Sequence, residues 1–528
     1  MLPRAPAAPA RRRGTPVLRR LRLTRAEGAR VAIALAAGLL AGFCFPPFTL
    51  GVLVVVPLAV LQWAWRGQRA AVGAWCGFAF GVGCYALVIQ WISYFGIPAY
   101  LAVIAIMAAF PALVGLVVGL FAGRGIASPL LTAATWVVAE ALLGRWPFGG
   151  FPWAEVGLAL HDIGVARALA GVGGVLLASF AAVALAGFLV DLAAALADRQ
   201  RRSAVLAGSG VVVVLLATFV ADVTRYSPQP TGELRVAVLQ GDDQELSLAG
   251  QRAQQLTDDH LSLAAQLHGT YDLIVFPEGA LDTDPEQDPV LREQLTDLAK
   301  QHHAALLVNA RVPVNRKRFA KGLDDRIYNA NLLYAPDGTL QGEYAKQHLV
   351  PFGEYVPLRG LFGNVDALRT NVPYDYTPGN KTVVFDVKGT PVGSVICFES
   401  AFGPLVRQSV RDGAQALVVS TNNRSYRRSG NTEQHLALGQ LRAAETARPV
   451  VQASVSGISA VIDADGHVHD RTKLFHKAIV DTTIVTTRGE TLYVRFGDWV
   501  VWACCLALVA AAVVATFRRS AGSPPRHR

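Results

Sequence analysis

Eight apolar stretches limit what this chain can fold into more than any other feature. They run over residues 31–46, 49–65, 70–94, 98–122, 126–143, 166–190, 204–222 and 499–517. A helix that crosses a bilayer needs roughly 20 predominantly apolar residues. Inside lipid the backbone has no water to bond, so a lone spanning segment must close its own hydrogen bonds as a helix. The second stretch is the weakest, being short and interrupted by Pro57; neighbouring helices can satisfy the groups a proline frees. Only 17% of the residues are charged, against about a quarter in soluble domains. A multi-pass α-helical membrane domain of about eight spans is therefore expected.

The net charge of +10 would fit a nucleic-acid binder, but its placement argues against one. Arginines crowd the start (Arg11, Arg12, Arg13, Arg19, Arg20, Arg22, Arg25, Arg30) and the end (Arg518, Arg519, Arg526, Arg528). Flanking apolar spans, they read as orientation signals, because cytoplasmic connections carry the excess of Lys and Arg. With the N-terminus inside, the connections after spans two, four and six also lie inside. They hold Arg66 with Arg69, Arg124, and Arg199 with Arg201 and Arg202. The connections after spans one and three carry neither Lys nor Arg, and that after span five carries Arg145 and Arg167. This gives a basic cytoplasmic tail (1–30), seven spans (31–222), an extracytoplasmic block (223–498), an eighth span (499–517) and a second cytoplasmic tail (518–528). The first region is long and rich in Pro, Ala and Arg for a signal peptide, so no removal is expected.

The block 223–498 alternates β-rich runs with helical ones. Strands are expected at 234–240, 272–276, 304–309, 415–420, 450–454 and 457–462, and helices at 246–268, 288–302, 404–412 and 431–447. Pro336-Asp-Gly338 joins 329–334 to 340–344 as a hairpin, and a Lys-Gly turn joins 382–387 to 392–396. The expected fold is a layered α/β domain.

Six cysteines are present, and Cys44, Cys76, Cys84, Cys504 and Cys505 fall in apolar stretches. Cys397 alone lies in the block and has no disulfide partner there. A free cysteine is often just a small buried hydrophobe. Cys397, however, ends the apolar run Val392–Ile396 shortly before a helix, where a positive N-terminus is expected to lower a thiol's pKa. Nucleophilic thiols need a base. None of the block's histidines (His260, His268, His302, His303, His348, His435, His467, His469, His476) sits in a catalytic frame. His302-His303 and His467-x-His469 lack a matching ligand set, so neither metal nor cofactor is expected. Glu278 closes the run Asp272–Phe276, at the strand end where α/β sheets place their chemistry, and can accept a thiol proton. Lys346 follows the second strand of the first hairpin and can stabilise an oxyanion. Taken singly, Glu278 or Lys346 reads more readily as a surface charge; three matching contexts in one block overturn that. Trp146, Phe148, Phe151 and Trp153, after span five, read as an interfacial belt or as a floor beneath the site.

These contexts resemble the nitrilase, or carbon–nitrogen hydrolase, superfamily, which uses a Glu–Lys–Cys triad. They are more specifically similar to the bacterial apolipoprotein N-acyltransferases. Lys346-Gln-His-Leu-Val-Pro-Phe-Gly-Glu354-Tyr-Val-Pro357 carries most of that likeness, and Phe276-Pro-Glu278 and Ile396-Cys397-Phe-Glu399 follow in matching order. The resemblance implies an αββα sandwich with Glu278 as general base, Cys397 as nucleophile and Lys346 as transition-state stabiliser. Glu354 and Glu399 match supporting glutamates. It further implies ping-pong transfer of an acyl chain from a phospholipid to the α-amine of diacylglyceryl-cysteine lipoproteins, by a monomer in the bacterial cytoplasmic membrane. Two readings compete: a membrane-tethered amidase, with water in place of the amine, and an inactive lipoprotein-binding scaffold. The chain departs from the family at Thr421-Asn-Asn-Arg-Ser-Tyr426, where relatives usually carry Asn-Asp and then Trp-Phe-Gly. It departs again at Phe398, where many have Tyr.

Overall fold

A computed structural model describes residues 23–521 apart from 49, 243–248, 282, 363–371 and 373. The arginines at 11–22, 526 and 528 therefore lie outside the described residues. Helices precede and follow the sheets: α1 (Arg25–Gly42), α2 (Val55–Trp65), α3 (Ala70–Val88), α4 (Ile97–Ala122), α5 (Pro129–Leu143), α6 (Gly164–Gly173), α7 (Val175–Ala197) and α8 (Arg201–Val223), then α13 (Trp499–Ala521) near the end. Five of them, at 70–88, 97–122, 175–197, 201–223 and 499–517, are long and apolar enough to cross a membrane. The helices at 51–65 and 129–143 are apolar but shorter, and α1 opens with Arg25, Glu27 and Arg30.

The expected span at 166–190 is not one helix. Gly174, at φ 75°, breaks it into α6 and α7. That left-handed backbone suits a residue without Cβ, and a side chain there would strike the Tyr493 ring at 2.8 Å. The apolar pattern runs through the break, so periodicity alone does not reveal it.

Small residues let the first helices approach closely, as is usual where lipid supplies no hydrophobic drive between helices. A Cβ on Gly73 would lie 2.3 Å from the Gly115 carbonyl oxygen, and one on Gly115 would lie 2.1 Å from that of Gly73. Gly38 meets the Phe80 carbonyl in the same way. Elsewhere the apolar surface faces outward: of α8 only Ala207 is buried, while Leu206, Val213 and Phe219 are each more than half exposed.

Between the helical parts lie two six-stranded sheets, ordered β12-β1-β2-β3-β4-β5 and β11-β10-β9-β8-β7-β6. The first joins β1 (Gln229–Gln240), β2 (Leu273–Val275), β3 (Ala305–Pro313), β4 (Ile327–Tyr334), β5 (Leu340–Ala345) and β12 (Ala478–Arg488). The second joins β6 (Val384–Val387), β7 (Thr390–Ile396), β8 (Ala416–Thr421), β9 (Val450–Ser454), β10 (Ala460–Ile462) and β11 (Val468–His469). In each, three strands run parallel: β1-β2-β3 and β7-β8-β9. The sheets pack face to face through Val236, Val275 and Leu307 against Ile396, Val418 and Val451. On the outer face of the first sheet, Ile274 and Leu306 meet Leu295 and Leu298 of α10 (Pro289–His302), behind α9 (Ala249–Ala264). On that of the second, Val395 and Leu417 meet Val406 of α11 (Gly403–Arg411) and Leu441 of α12 (Asn431–Thr446). The layers are thus α-β-β-α, and the second helical layer is continuous with the α1–α7 bundle.

Within the described residues the expected strands and helices are present with end shifts, and both hairpins form; the start of the expected helix, 246–248, lies outside the described residues. Strand β12 was not foreseen. Its burial follows no strict alternation, yet it pairs with β1 along its full length.

Gly115→Leu should lower the unfolding midpoint in detergent, since overpacking costs about 1–3 kcal/mol and backbone cannot yield easily. Gly28→Ala, with open space around its site, should leave it unchanged or raised. Equal midpoints for the two variants would contradict the packing.

Candidate active site

The carboxyl ends of the parallel strands meet between the sheets. Glu278 follows β2, Cys397 follows β7, and Asn422 follows β8. Lys346 follows β5 on the same side, and its side chain is 1% exposed. Its Nζ donates to Glu278 Oε1 at 3.0 Å and to Glu354 Oε1 at 2.8 Å. Asn329 Nδ2 donates to the same two oxygens, at 2.8 and 3.0 Å. The outer carboxylate oxygens take backbone donors, Asn422 N–H for Glu278 and Val350 N–H for Glu354. Burial alone would pull the lysine pKa down; the two carboxylates outweigh it and hold the ammonium well above the ordinary lysine range.

Cys397 is buried in a sharp turn at φ 53°, and the short 3-10 segment Cys397–Ala401 follows it. Such a left-handed backbone is uncommon for a residue with a side chain. It carries the chain from strand to helix and turns the thiol toward the carboxylate–lysine cluster, whose charges act on it. The expected lowering of the thiol pKa is corrected by the structure. Burial pushes it up to about 12 and Glu278 adds to the rise, while Lys346, the Thr421 hydroxyl and the Asn422 N–H pull the other way. The expected helix does begin just after Phe402, at Gly403, but burial outweighs any effect of its N-terminus on the thiol. At rest Cys397 is a thiol, and a nucleophilic role for it would need a base.

Glu399 does not point at the sulfur. Its Oε2 accepts from Ile396 N–H and Tyr344 Oη, each at 2.8 Å, and its Oε1 from Gln347 N–H at 2.6 Å and His348 N–H at 3.1 Å. One carboxylate thereby ties the residues after Lys346 to the turn that carries Cys397. Burial raises its pKa to about 7 against those donors. The structure therefore brings Glu278, Lys346, Cys397 and Glu354 together, and places Glu399 behind them as a brace.

Several participants were missed in the sequence. Asn329 and Asn331 alternate along β4, and Asn309 of β3 bonds both at 2.9 Å. Asn331 continues the chain to Ser394 of β7 at 2.7 Å, linking the two sheets. Polar residues at i and i+2 in an otherwise buried strand are a readable sign, because a buried amide requires partners. His435 was set aside with the other histidines. It lies 3.1 Å from the Cys397 carbonyl oxygen, and burial drives its pKa down to about 4, so the ring is neutral and braces backbone. His467 and His469 share Asp463 at 3.4 and 3.1 Å.

The aromatic cluster after α5 divides. Phe151 and Trp153 pack on Phe398, with ring centroids 5.8 and 6.2 Å away, and form a floor beside the turn that carries Cys397. Trp146 and Phe148 are exposed, at 62% and 43%. Gln434 of α12 locks that floor. Its Oε1 accepts from Trp153 Nε1 at 2.7 Å and Trp91 Nε1 at 3.1 Å, and its Nε2 donates to the carbonyls of Val88 and Pro46.

Two stacked sheets with a buried thiol, lysine and carboxylate at their strand ends define a protein of the carbon–nitrogen hydrolase class, and residues 235–491 match the carbon-nitrogen hydrolase family. Residues 37–188 match the apolipoprotein N-acyltransferase N-terminal domain. The chain belongs to the apolipoprotein N-acyltransferase family. It is 32% identical to the apolipoprotein N-acyltransferase of Methylococcus capsulatus, over 93% of this chain and 97% of that one. It is 31% identical to that of Nitrosomonas europaea, over 92% and 98%. Similar solved structures include a CN-hydrolase superfamily protein from Xanthomonas campestris, at 22% identity over 48% of this chain and 91% of the other, with a TM-score of 0.36.

The buried thiol sets the pH dependence of alkylation. With its pKa near 12, the thiolate fraction grows about tenfold per pH unit well below that value. Peptide-resolved mass spectrometry after iodoacetamide treatment should show Cys397 labelling still rising from pH 7 to 10. A plateau below pH 8 would mean that the sulfur is already ionised at rest.

Proposed function

We propose that the chain transfers a fatty acyl group from a phospholipid to the N-terminal α-amine of diacylglyceryl-cysteine in apolipoproteins, through a thioester on Cys397. One observation carries the reading: a buried thiol, an ammonium and a carboxylate share one site whose floor is made by connections of an apolar helical bundle. Glu278 takes the Sγ proton as the sulfur attacks the donor's ester carbonyl. Lys346 stabilises the oxyanion. The ester C–O bond breaks, and Glu278 returns the proton to the departing lysophospholipid oxygen. The amine then attacks the thioester and Glu278 takes its proton; the C–S bond breaks, and the leaving sulfur receives that proton from Glu278, restoring the thiol and the carboxylate. A thioester keeps enough reactivity to form an amide without ATP. Glu354 fixes the lysine, and Glu399 holds the segment behind it.

In this reading residues 31–222 and 499–517 form eight spans, 223–498 lie outside the cytoplasm, and the tails 1–30 and 518–528 lie inside. Two observations support that orientation. The sheets pack on connections that follow α1, α3 and α5, through Gln434 against Pro46, Val88 and Trp153. Arg66 and Arg69 gather at the other end of the bundle, with Arg30, Glu27 and Asp191. Placement in the bacterial cytoplasmic membrane, as a monomer, belongs to the same proposal.

Purified full-length protein incubated with phospholipid should gain one acyl mass on Cys397, and a lipopeptide with a free α-amine should discharge it as an amide. Cys397→Ala should remove both signals, and Glu278→Gln should lower acyl-enzyme formation by at least about a hundredfold. Release of free fatty acid alone, with no amide, would favour the amidase reading. Undiminished transfer by Cys397→Ala would end the thioester mechanism.

A further inference from the structure

A second cavity, of about 460 Å³, opens where the loop after α1, the segment leading into α6, α12 and β11 meet. None of Glu278, Lys346, Glu354 and Cys397 lines it. Along α12, Glu433, Leu436 and Gln440 face this cavity, whereas His435 faces the Cys397 carbonyl. Arg167 of α6 lines the cavity and is only 5% exposed. Its Nη1 donates to the His161 carbonyl at 3.1 Å. Among the described residues its Nε meets no acceptor, and the guanidinium pairs with no carboxylate. Asp463 is held by His467 and His469, and Asp465 by Arg225 at 3.7 Å. These two and Asp162 act on Arg167 only from farther away. The turn at Gly466, with φ 84°, fixes the arginine from above: a Cβ there would meet Arg167 Cδ at 2.7 Å. Gln440 Nε2 anchors that turn by donating to the Gly466 carbonyl at 2.9 Å. His161 Nδ1 is buried at the same cavity and also has no partner among the described residues. Arg471 is exposed at the cavity edge, with Glu433 at 2.7 Å.

A charge held out of water is tolerable only when its hydrogen bonds and its balance are met. The planar fork of arginine matches phosphate oxygens in pairs. The opposite wall of the cavity is Pro46, Pro47 and Phe48, which follow α1. Phe48 and Phe43 meet edge to face with centroids 5.2 Å apart, and they are 45% and 42% exposed. Exposed rings at the end of an apolar helix mark headgroup depth, which is where lipid phosphates lie.

We propose that this cavity binds the phosphodiester of a phospholipid other than the acyl donor, with Arg167 and His161 as inner contacts and Arg471 at the edge. The assignment rests on the membrane reading above and adds a second lipid site to it. The site is continuous with the seam between sheets and bundle: Gln434, next to Glu433, donates to the Pro46 carbonyl, and Pro46 lines the cavity. A lipid bound here stiffens that seam.

The test follows the unfolding midpoint of full-length protein stripped of lipid in a maltoside detergent. Three probes are added: a dialkyl ether phosphatidylethanolamine, which has no ester to give; the matching dialkylglycerol, which has no phosphate; and soluble glycerophosphoethanolamine. The ether phospholipid should raise the midpoint by about 5 °C at roughly a hundredfold excess over its dissociation constant, and the dialkylglycerol should not. R167Q should lose most of that rise, and R167K should keep part of it. R471Q, changed at an exposed position, should weaken the lipid's affinity severalfold. An equal rise in folded R167Q would place the lipid in the catalytic cleft and overturn the assignment. So would an equal rise with the dialkylglycerol. Glycerophosphoethanolamine acting as well as the lipid at equal concentration would make the occupant a free phosphodiester and overturn the lipid. If R167Q does not fold, R471Q decides, and unchanged lipid affinity there overturns the proposal. Since the ether lipid gives no acyl group, the outcome is independent of whether acyl transfer is observed.

Discussion

A single ammonium, out of contact with water between two carboxylates, organises the catalytic half of the molecule. Moving a charge out of water costs several kcal/mol even after relaxation, and a buried pair is tolerable only when its remaining donors and acceptors are met. The fold meets them from separate places: β2 brings Glu278, the segment after β5 brings Lys346 and Glu354, β4 brings Asn329, and the end of β8 brings the Asn422 N–H. Removing one member leaves the others charged and unpaired, so the cluster constrains both sheets. The asparagine chain from Asn309 through Asn331 to Ser394 fixes their relative position in the same way.

The second constraint is the seam between sheets and helices. It is polar where contact is closest. Gln434 satisfies two indole donors and two backbone carbonyls. Glu445 accepts the free N–H of Val175 at the start of α7, at 2.8 Å, while it pairs with Arg442 at 3.1 Å. In a medium of low dielectric an unmet donor is costly, so these bonds favour one docked arrangement over a sliding apolar contact. The break at Gly174 exposes the N–H that Glu445 caps. The consequence is positional: Phe151 and Trp153 come up from the bundle and press on Phe398, directly after Cys397 in the chain.

Much of this was legible because Glu278 and Cys397 stand at the ends of β-branched runs and Lys346 at the end of a hairpin strand, where strands stop and side chains turn toward one another. Glu278, Lys346 and Cys397 could be read one by one, and the conjunction of their contexts outweighed the reading of the first two as ordinary surface charges and of the third as a small buried hydrophobe. The sequence concealed what depends on burial and long-range pairing. Strand β12 is rich in threonine and shows no clean alternation, yet it pairs with β1 from Gln229 to Gln240. The thiol's acidity was misjudged because the local helix argument ignored desolvation, which here pushes the pKa up to about 12. Glu399 was legible as a supporting residue, but only coordinates distinguish a brace on backbone N–H groups from a partner of the sulfur.

The protonated resting thiol and the aromatic floor fit one another. An ionised sulfur beside Phe398, Phe151 and Trp153 would need solvation that those rings cannot give. A neutral thiol sits there at little cost, and in the proposed mechanism it ionises only as Glu278 receives its proton. The same scarcity of polar groups suits an acyl chain, and water competing for the thioester is disfavoured wherever rings and chain fill the floor. An amine carried on a lipid anchor reaches the carbonyl from the membrane side without having to cross bulk solvent. In the proposed reading, the choice between amide formation and hydrolysis lies in the position of Cys397 against the bundle, since triad chemistry by itself serves either outcome.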